Sequence, residues 1–285
     1  MNGGNTVIRT SNEAIIRLQE NRKAVGKGML ILLAGAFCLV FPPLGLLIIF
    51  LGYRKVQKAR EEMKGLYKDA FVREPLANNF ENVIYEPANG FTKEDIESFR
   101  ICMMGNRYWT EDYISAEFAG VRFEISQVNL RQVVSDDKSE TYFDGRIMAF
   151  NFPDKLVSQV AVFSRKFKYR PLSRSEEKAT QVELESMEFN REFDVYSPVQ
   201  QDAFYLITPH FEERLCFLAG KYDSIAMNVV GNRVILAFNE PGNNAFDAAI
   251  DVGQLDIEKE MAKVQAEIDD IKLFISMILN LRTVS

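Results

Sequence analysis

The most pronounced pattern in the chain is an uncharged apolar run at residues 29–52. At about 1.5 Å of rise per residue, a helix of this length matches a hydrocarbon core about 30 Å thick. The run starts late, lacks a small-residue cleavage site and is followed by basic residues, which argues against a signal peptide. We therefore expect residues 1–72 to be a membrane anchor with flanking amphipathic helices, in which the inserted residues are Met29, Leu33, Phe37, Pro42, Pro43, Leu47 and Phe50.

Two anchor geometries fit this run, because Pro42 and Pro43 interrupt its centre. Either a single kinked helix spans the bilayer, or the prolines form the apex of a hairpin whose arms return to the same side. The arms are short, so a hairpin would have to dip shallowly, thin the bilayer or borrow flanking residues. A buried helical pair inside a soluble fold is the third alternative.

Basic residues flank the run on both sides. Residues 1–28 contain five basic and two acidic residues, and residues 53–68 contain six and two. Basic flanks prefer the cytoplasm, so the charges favour the hairpin and place residues 53–285 on the cytoplasmic side of the membrane. The periodicity of residues 11–25 and 53–72 predicts two helices that could extend the hairpin as a packed stalk.

From about residue 107 the pattern changes to the alternation that is typical of strands. Ala119-Gly120 and Gly231-Asn232 are predicted turns, and Thr208-Pro209 is predicted to begin a helix. Residues 73–253 are therefore expected to form a cytoplasmic α+β domain whose antiparallel sheet closes in a roll or barrel-like form. The predicted strands are 113–118, 121–128, 142–152, 159–163, 181–185, 192–196, 225–230 and 233–238.

Residues 254–285 carry the most regular helical pattern of the chain, with apolar residues at alternating steps of four and three. This heptad spacing predicts a coiled-coil seam that pairs with a second copy or with the stalk. The alternative is a helix that lies on its own sheet, which the wider stripe around Leu273 and Phe274 favours. The seam residues are Ile257, Met261, Val264, Ile268, Ile271, Ile275 and Ile278.

Composition narrows the function classes. The 285-residue chain is 47% hydrophobic and 26% charged, as expected for a folded protein. Its net charge is −6, and because residues 1–28 and 53–68 contribute +3 and +4, residues 69–285 carry −13. Such an acidic domain is a poor partner for nucleic acid, so none is expected. The three cysteines form no C-x-x-C motif and indicate ordinary thiols in a reducing compartment.

We find no pattern that predicts catalysis, a metal or a cofactor. The sole histidine, His210, has Glu213 one helical turn away, but a metal site needs three or four ligands. No G-x-S-x-G motif supports a nucleophilic serine. The carboxylates between Glu183 and Asp194 alternate with apolar residues and are interpreted as the solvated face of strands.

One basic segment stands out from the acidic domain. Residues 164–174 interleave five basic residues with Phe167 and Tyr169. Such a loop could contact anionic headgroups, each basic residue contributing about 1 kcal/mol near the surface. The alternative is a solvated loop neutralised by Glu176 and Glu177. The candidate headgroup contacts are Arg165, Lys166, Lys168 and Arg170.

Several motifs resemble a known bacterial family. They are Glu111-Asp112-Tyr113, Tyr142-Phe143-Asp144-Gly145, and a block in residues 187–215 that contains Phe189-x-x-x-Phe193-x-Val195-Tyr196 and Thr208-Pro209-x-Phe211. The sequence is similar here to the family named domain of unknown function 3137. The resemblance implies two membrane helices joined by a tight turn, which favours the hairpin, and neighbours of the LemA type. It implies no reaction and no catalytic residues.

Together these patterns predict a membrane-anchored, non-enzymatic binding or scaffolding module. The expected partners are the lipid bilayer and a second copy of the chain or a LemA-type membrane protein. A lipid-headgroup or ligand-sensing domain at the membrane is the first alternative, and an uncharacterised hydrolase is the second.

Overall fold

A computed structural model describes residues 17, 20, 21, 23–33, 42–135, 138–168, 179–242, 246 and 257–280. The chain divides into two compact units. The first comprises Met1–Asn78 with Ala245–Glu267, and the second comprises Asn79–Asn244 with Ile268–Ser285.

The first unit is built on a helical hairpin. Helix α1 covers residues 23–33, and α2 runs from Pro42 to Tyr67. A Cβ on Gly28 would lie 2.6 Å from Val56, and one on Gly52 would lie 3.0 Å from Leu32, so the two helices pack antiparallel. In one continuous helix, residues 28 and 56 would be about 40 Å apart. The contacts are therefore those of a hairpin, and the single kinked helix does not fit them. Phe37 and Cys38 lie outside the described residues.

The two helices also pack further from the turn, as the predicted stalk requires. Val25, Val56 and Ala59 form a small buried cluster, with Ala24, Leu32 and Met63 against it. Helix α2 continues into a π-helical segment, Lys68–Arg73, and then into α3, Glu74–Asn79.

The C-terminal helix α8, Ile257–Asn280, packs on the chain itself. In the first unit, the Tyr67 hydroxyl donates a 2.6 Å hydrogen bond to Glu260 Oε2, so α8 contacts the end of α2. In the second unit, the Phe274 ring lies 5.0 Å from that of Phe150. The seam residues Val264, Ile268, Ile271, Ile275 and Ile278 are buried and Met261 is half exposed, whereas the Ile257 side chain lies outside the described residues. The heptad pattern thus serves packing within one chain, which is the alternative that the sequence left open.

The second unit contains a nine-stranded antiparallel sheet in the order β1-β2-β3-β4-β9-β8-β5-β7-β6. The sheet is open, with β1 and β6 at its edges, because β5, β7 and β6 continue beyond β8 and do not return to β1. The α+β class and the C-terminal helix are confirmed, and the predicted roll or barrel-like closure was wrong. The strands are β1 Glu81–Glu86, β2 Arg107–Phe118, β3 Val121–Ser135, β4 Lys138–Asn151, β5 Val157–Ser164, β6 Thr180–Val182, β7 Phe193–Ser197, β8 Ser224–Gly231 and β9 Arg233–Asn239.

Four helices connect the strands. They are α4 Lys93–Phe99, α5 Met187–Glu192, α6 Gln200–Leu206 and α7 Pro209–Lys221. The predicted start of α7 is confirmed, since the Thr208 hydroxyl accepts a hydrogen bond from the Phe211 N–H and Pro209 occupies the first turn. The core lies between the sheet and the segment around α4, where Phe91, Phe99, Val128 and Phe143 are buried together.

Near the centre of the sheet, the backbones of β4 and β9 approach each other closely at Gly145. Gly145 on β4 lies opposite Asn239 on β9, and a Cβ at this glycine would be 2.0 Å from the carbonyl oxygen of Phe238. No side chain fits at that distance, so β4 and β9 can meet here only at a glycine.

Candidate functional site

The turn end of the helical hairpin exposes a group of large apolar side chains, which we name the hairpin tip. On α2, Phe50 is 55% exposed and Leu46 is 62% exposed, and on α1 Leu33 reaches 69%. Exposed apolar residues are common singly, but a contiguous group marks an interaction surface. The exposed side chains of the hairpin tip are Met29, Leu30, Leu33, Leu46, Leu47, Phe50, Leu51 and Tyr53.

The side chains that the sequence assigned to the anchor are partly contained in this tip. Met29, Leu33, Leu47 and Phe50 belong to it. Pro42 and Pro43 begin α2, where a missing N–H is tolerated, but their side chains lie outside the described residues. Within the described part of the chain, no helix combines the length and the apolar character needed to cross a membrane.

Basic side chains border the tip on the side away from the turn. Lys23 and Lys27 on α1 are exposed, and so are Arg54, Lys55 and Lys58 on α2. The Arg54 guanidinium lies 5.8 Å from the centre of the Phe50 ring. The hairpin is therefore apolar towards its turn and cationic beyond it.

The basic segment after β5 divides into two parts. The Arg165 guanidinium donates 2.8 and 3.1 Å hydrogen bonds to the Asn190 carbonyl and lies 3.3 Å from Asp194 Oδ1, so it ties this segment to α5 and β7. Lys166 and Lys168 are exposed. Arg170 lies outside the described residues. Among the predicted headgroup contacts that the structure describes, the two lysines are exposed, and the Arg165 guanidinium is held by Asn190 and Asp194.

Lys166 and Lys168 border an open cleft of about 460 Å³. Asp144 and Asp223 also border it, together with the polar side chains of Thr141, Tyr142, Ser224 and Asn239. Asn239 Oδ1 accepts a 2.9 Å hydrogen bond from the Asp144 N–H, which fixes β4 and β9 relative to each other at this point. The cleft has the size of a small-molecule site and carries both signs of charge.

The two cysteines of the second unit have thiols whose pKa values are raised. Burial raises the pKa of the Cys102 thiol, and burial with nearby Glu188, Glu192 and Glu212 raises that of Cys216. A thiol kept protonated is a poor nucleophile. His210 Nδ1 lies 3.9 Å from Glu213 on an exposed helix surface. Among the described residues, no group of three potential metal ligands occurs.

The motif residues Glu111-Asp112-Tyr113 have a structural explanation. Asp112 sits at a bulge of β2 with φ of +56°, and its buried carboxylate accepts a 2.6 Å hydrogen bond from the Tyr85 hydroxyl. Asp tolerates this left-handed conformation better than most residues. Phe189, Phe193, Val195, Phe211 and Leu215 of the second motif block are all buried, so they support the fold.

Sequence reasoning overlooked a surface at the start of β2. Arg107, Tyr108 and Trp109 are consecutive exposed residues, and with Asn129 and Arg131 on β3 they border a shallow depression of about 320 Å³. The available signal in the sequence was the run Arg107-Tyr108-Trp109, which does not show the alternation of apolar and polar residues expected of a strand with one buried face.

The geometry defines an open-sheet α+β domain that follows a helical hairpin with an exposed apolar tip. Residues 141–283 match the family described as protein of unknown function (DUF3137), and the chain belongs to that family. No curated protein matches the chain. Among solved structures, it is similar to the mycobacterial trehalose monomycolate transport factor A, TtfA, at 10% identity and a TM-score of 0.41, over 72% of this chain and 93% of that one.

Proposed function

We propose that the protein is a non-enzymatic binding module tethered to the cytoplasmic face of a bacterial inner membrane by its helical hairpin. The observation that supports the tether most directly is the hairpin tip, whose apolar side chains are exposed. Full transfer of one Leu or Phe side chain out of water is worth about 1.5–3 kcal/mol. Several such residues next to one another make a strong driving force towards lipid.

The border of basic residues supports the same proposal. Once the tip enters the hydrocarbon, Lys23, Lys27, Arg54, Lys55 and Lys58 would lie at the level of the headgroups. Each would gain about 1 kcal/mol from an anionic leaflet. Because both arms are bordered in this way, both ends of the hairpin stay on the cytoplasmic side.

The depth of insertion follows from length. Residues 42–52 of α2 are uncharged and extend about 17 Å as a helix. This is about half of a hydrocarbon core about 30 Å thick. We therefore propose a hairpin that enters one leaflet and returns.

Flotation of the full-length protein with phosphatidylcholine–phosphatidylglycerol vesicles tests the tether. The variant with Leu46, Leu47, Phe50 and Leu51 all changed to Ser should lose at least 90% of the floated protein, because the driving force for insertion is removed. The matched control changes Met261, Phe217 and Leu273 to Ser, which are also exposed apolar residues. The control should float like the wild type.

Equal flotation of the wild type and the tip variant would refute the tether, and so would a wild type that stays at the bottom of the gradient. Vesicles of phosphatidylcholine alone separate the contribution of the apolar tip from that of the basic border. They should reduce flotation of the wild type, because the basic border then has no anionic lipid to contact, but they should not abolish it.

A second candidate function is recognition of a ligand in the cleft beside Lys166 and Lys168, as in a lipid-headgroup or ligand sensor. The cleft supports it, because lysines can bind a phosphate and aspartates an ammonium or hydroxyl group. Binding of phosphoethanolamine, followed by calorimetry, should weaken at least tenfold in the variant with Lys166→Glu and Lys168→Glu. Arg191→Glu is the control, since this exposed residue lies outside the cleft. Unchanged binding in the double variant would exclude this candidate.

A further inference from the structure

The start of β2 carries an unusual set of exposed side chains, which we name the Trp109 surface: Arg107, Tyr108, Trp109, Asn129 and Arg131. Trp109 is the sole tryptophan of the chain and is 55% exposed, and Tyr108 is 48% exposed. Tryptophan, tyrosine and arginine are the residue types that dominate the energetics of protein interfaces. A surface that combines all three favours a protein partner.

Within the described ranges, no strand pairs with the outer side of β2 at residues 107–109, and Thr110 Oγ1 donates a 3.1 Å hydrogen bond to the Phe91 carbonyl. Strand β1 pairs with β2 only from Tyr113 onwards, whereas β3 pairs with β2 from Arg107. In any strand, alternate residues direct their N–H and C=O groups to one side, so this edge presents backbone groups that an added strand could pair with.

The surface is held rigidly. The Asn106 side chain makes two 2.8 Å hydrogen bonds with the backbone of Val133, and its N–H donates to the Arg131 carbonyl at 3.1 Å. Arg131 Nε donates a 2.7 Å hydrogen bond to Asn129 Oδ1. Gly105 has φ of +68° and lies against the Arg131 carbonyl, where a Cβ would be 2.2 Å away. A preorganised edge of this kind loses little conformational entropy on binding.

The charges indicate the chemistry of the partner. Within the described ranges, neither Arg107 nor Arg131 lies within 4.0 Å of a carboxylate, although residues 69–285 carry a net charge of −13. Two guanidinium groups that have no carboxylate partner among the described residues complement an anionic segment. A second copy of this chain is disfavoured, because symmetric pairing along this edge would bring the same arginines together.

We propose that an extended acidic segment of a partner protein docks on the Trp109 surface by adding a strand to the open edge of β2. Its backbone pairs with residues 107–110, its carboxylates bind Arg107 and Arg131 on the face that Trp109 shares, and its alternate side chains pack on Tyr108 on the other face. This inference rests on the proposed function as a binding module and names the surface and the partner chemistry.

Trp109 provides the test, because the tryptophan fluorescence of the full-length protein, excited selectively over that of its tyrosines, comes from one indole at the proposed interface. The probe is a blocked decapeptide of alternating Glu and Thr. It should cause a saturable blue shift of the emission, and it should slow amide hydrogen exchange at least tenfold at those N–H groups of residues 107–110 that point away from β3. The variant with Arg107→Glu and Arg131→Glu should weaken binding at least tenfold, whereas Arg122→Glu, an exposed arginine at the far end of β3, should not.

Two further peptides distinguish the mechanism. An alternating Lys and Thr peptide lacks the carboxylates, and a Glu-Thr peptide that is N-methylated at every backbone nitrogen lacks the N–H groups that pair with an edge. Binding of either one as tightly as the Glu-Thr peptide would overturn the proposal, as would no saturable shift with the Glu-Thr peptide. A shift with phosphatidylglycerol vesicles alone would assign the surface to lipid instead. The tip variant should bind the peptide normally, so failure of this test and failure of the tether are distinguishable.

Discussion

The hairpin tip and the centre of the sheet contain the same kinds of apolar residues, but these residues are exposed at the tip and buried in the sheet. Leu46, Leu47 and Phe50 on α2 are more than half exposed, whereas Ile125 and Phe150 on β3 and β4 are fully buried. The central strands have neighbours on both sides and helices against them. Among the described residues, the two arms of the hairpin bury their inner sides against each other. An apolar sequence therefore shows that a side chain needs a partner surface, but it does not show whether the chain or its surroundings supply that surface.

The largest expected effect is on the free energy of unfolding, when one Phe in each region is changed to Ala. Phe150→Ala should lower the free energy of unfolding by about 3–5 kcal/mol, because it leaves a cavity beside Phe123 and Phe274. Phe50→Ala should change it by less than about 0.5 kcal/mol, because the ring is already exposed. Urea unfolding followed by circular dichroism measures both. A large loss of unfolding free energy in Phe50→Ala would show that the tip is packed in the free protein. The tip and the centre of the sheet would then not differ in burial.

A smaller effect is expected where the hairpin arms contact each other. Gly28→Ala places a Cβ 2.6 Å from Val56, and overpacking of this kind costs about 1–3 kcal/mol, partly offset by the better helix propensity of Ala. Gly26→Ala is the matched control, since nothing lies within 4 Å of its added Cβ. It should stabilise the protein by about 0.5–1 kcal/mol. Thermal unfolding that shifts equally in both variants would disprove the packing of α1 on α2.

The smallest expected effect is a pH dependence of stability that comes from the phenol of Tyr113 on β2. Burial raises the pKa of Tyr113 to about 12, and its 2.7 Å hydrogen bond to Glu124 acts in the same direction. As the pH rises above 10, the unfolded chain loses this proton before the folded one does. The stability that the group contributes is therefore complete below pH 10 and is lost as the pH rises towards 12.

Absorbance titration of tyrosinate measures this pKa directly, and Tyr113→Phe assigns the signal. Glu124→Gln should move the pKa of Tyr113 back towards its ordinary value, because the carboxylate that disfavours the phenolate is gone. An unchanged titration in this variant would mean that burial alone sets the pKa.

Local signals predicted the fold where they were strong. Gly231-Asn232 joins β8 and β9, Gly120 adopts φ of +75° between β2 and β3, and Thr208 caps α7. Each of these depends on neighbours in sequence, so the residues themselves were sufficient. The family resemblance was confirmed by the match over residues 141–283, which contains the motifs at 142–145 and 187–215 but not Glu111-Asp112-Tyr113.

Other features depend on contacts that are distant in sequence. Strand β3 extends to Ser135 through polar residues such as Asn129 and Gln132, which were assigned to no strand because only pairing with β2 and β4 keeps them extended. The sheet is open because β5 pairs with β8 and β7, and the alternation of apolar and polar residues in the sequence does not specify these partners. The heptad seam of α8 is periodic in either environment, so its burial within the chain could not be predicted. Of the candidate site, the apolar run and the two lysines were foreseen, but the edge of β2 was not.

The close approach at Gly145 has a consequence for how this protein can vary. Strands β1 to β4 and strands β9 to β6 form two groups, and the β4–β9 ladder joins them. A methyl group at position 145 would clash with the Phe238 carbonyl and push β4 and β9 apart at one end of this ladder. In a saturation library selected for folded protein, this codon should therefore remain glycine even when most surface positions of the sheet accept replacements.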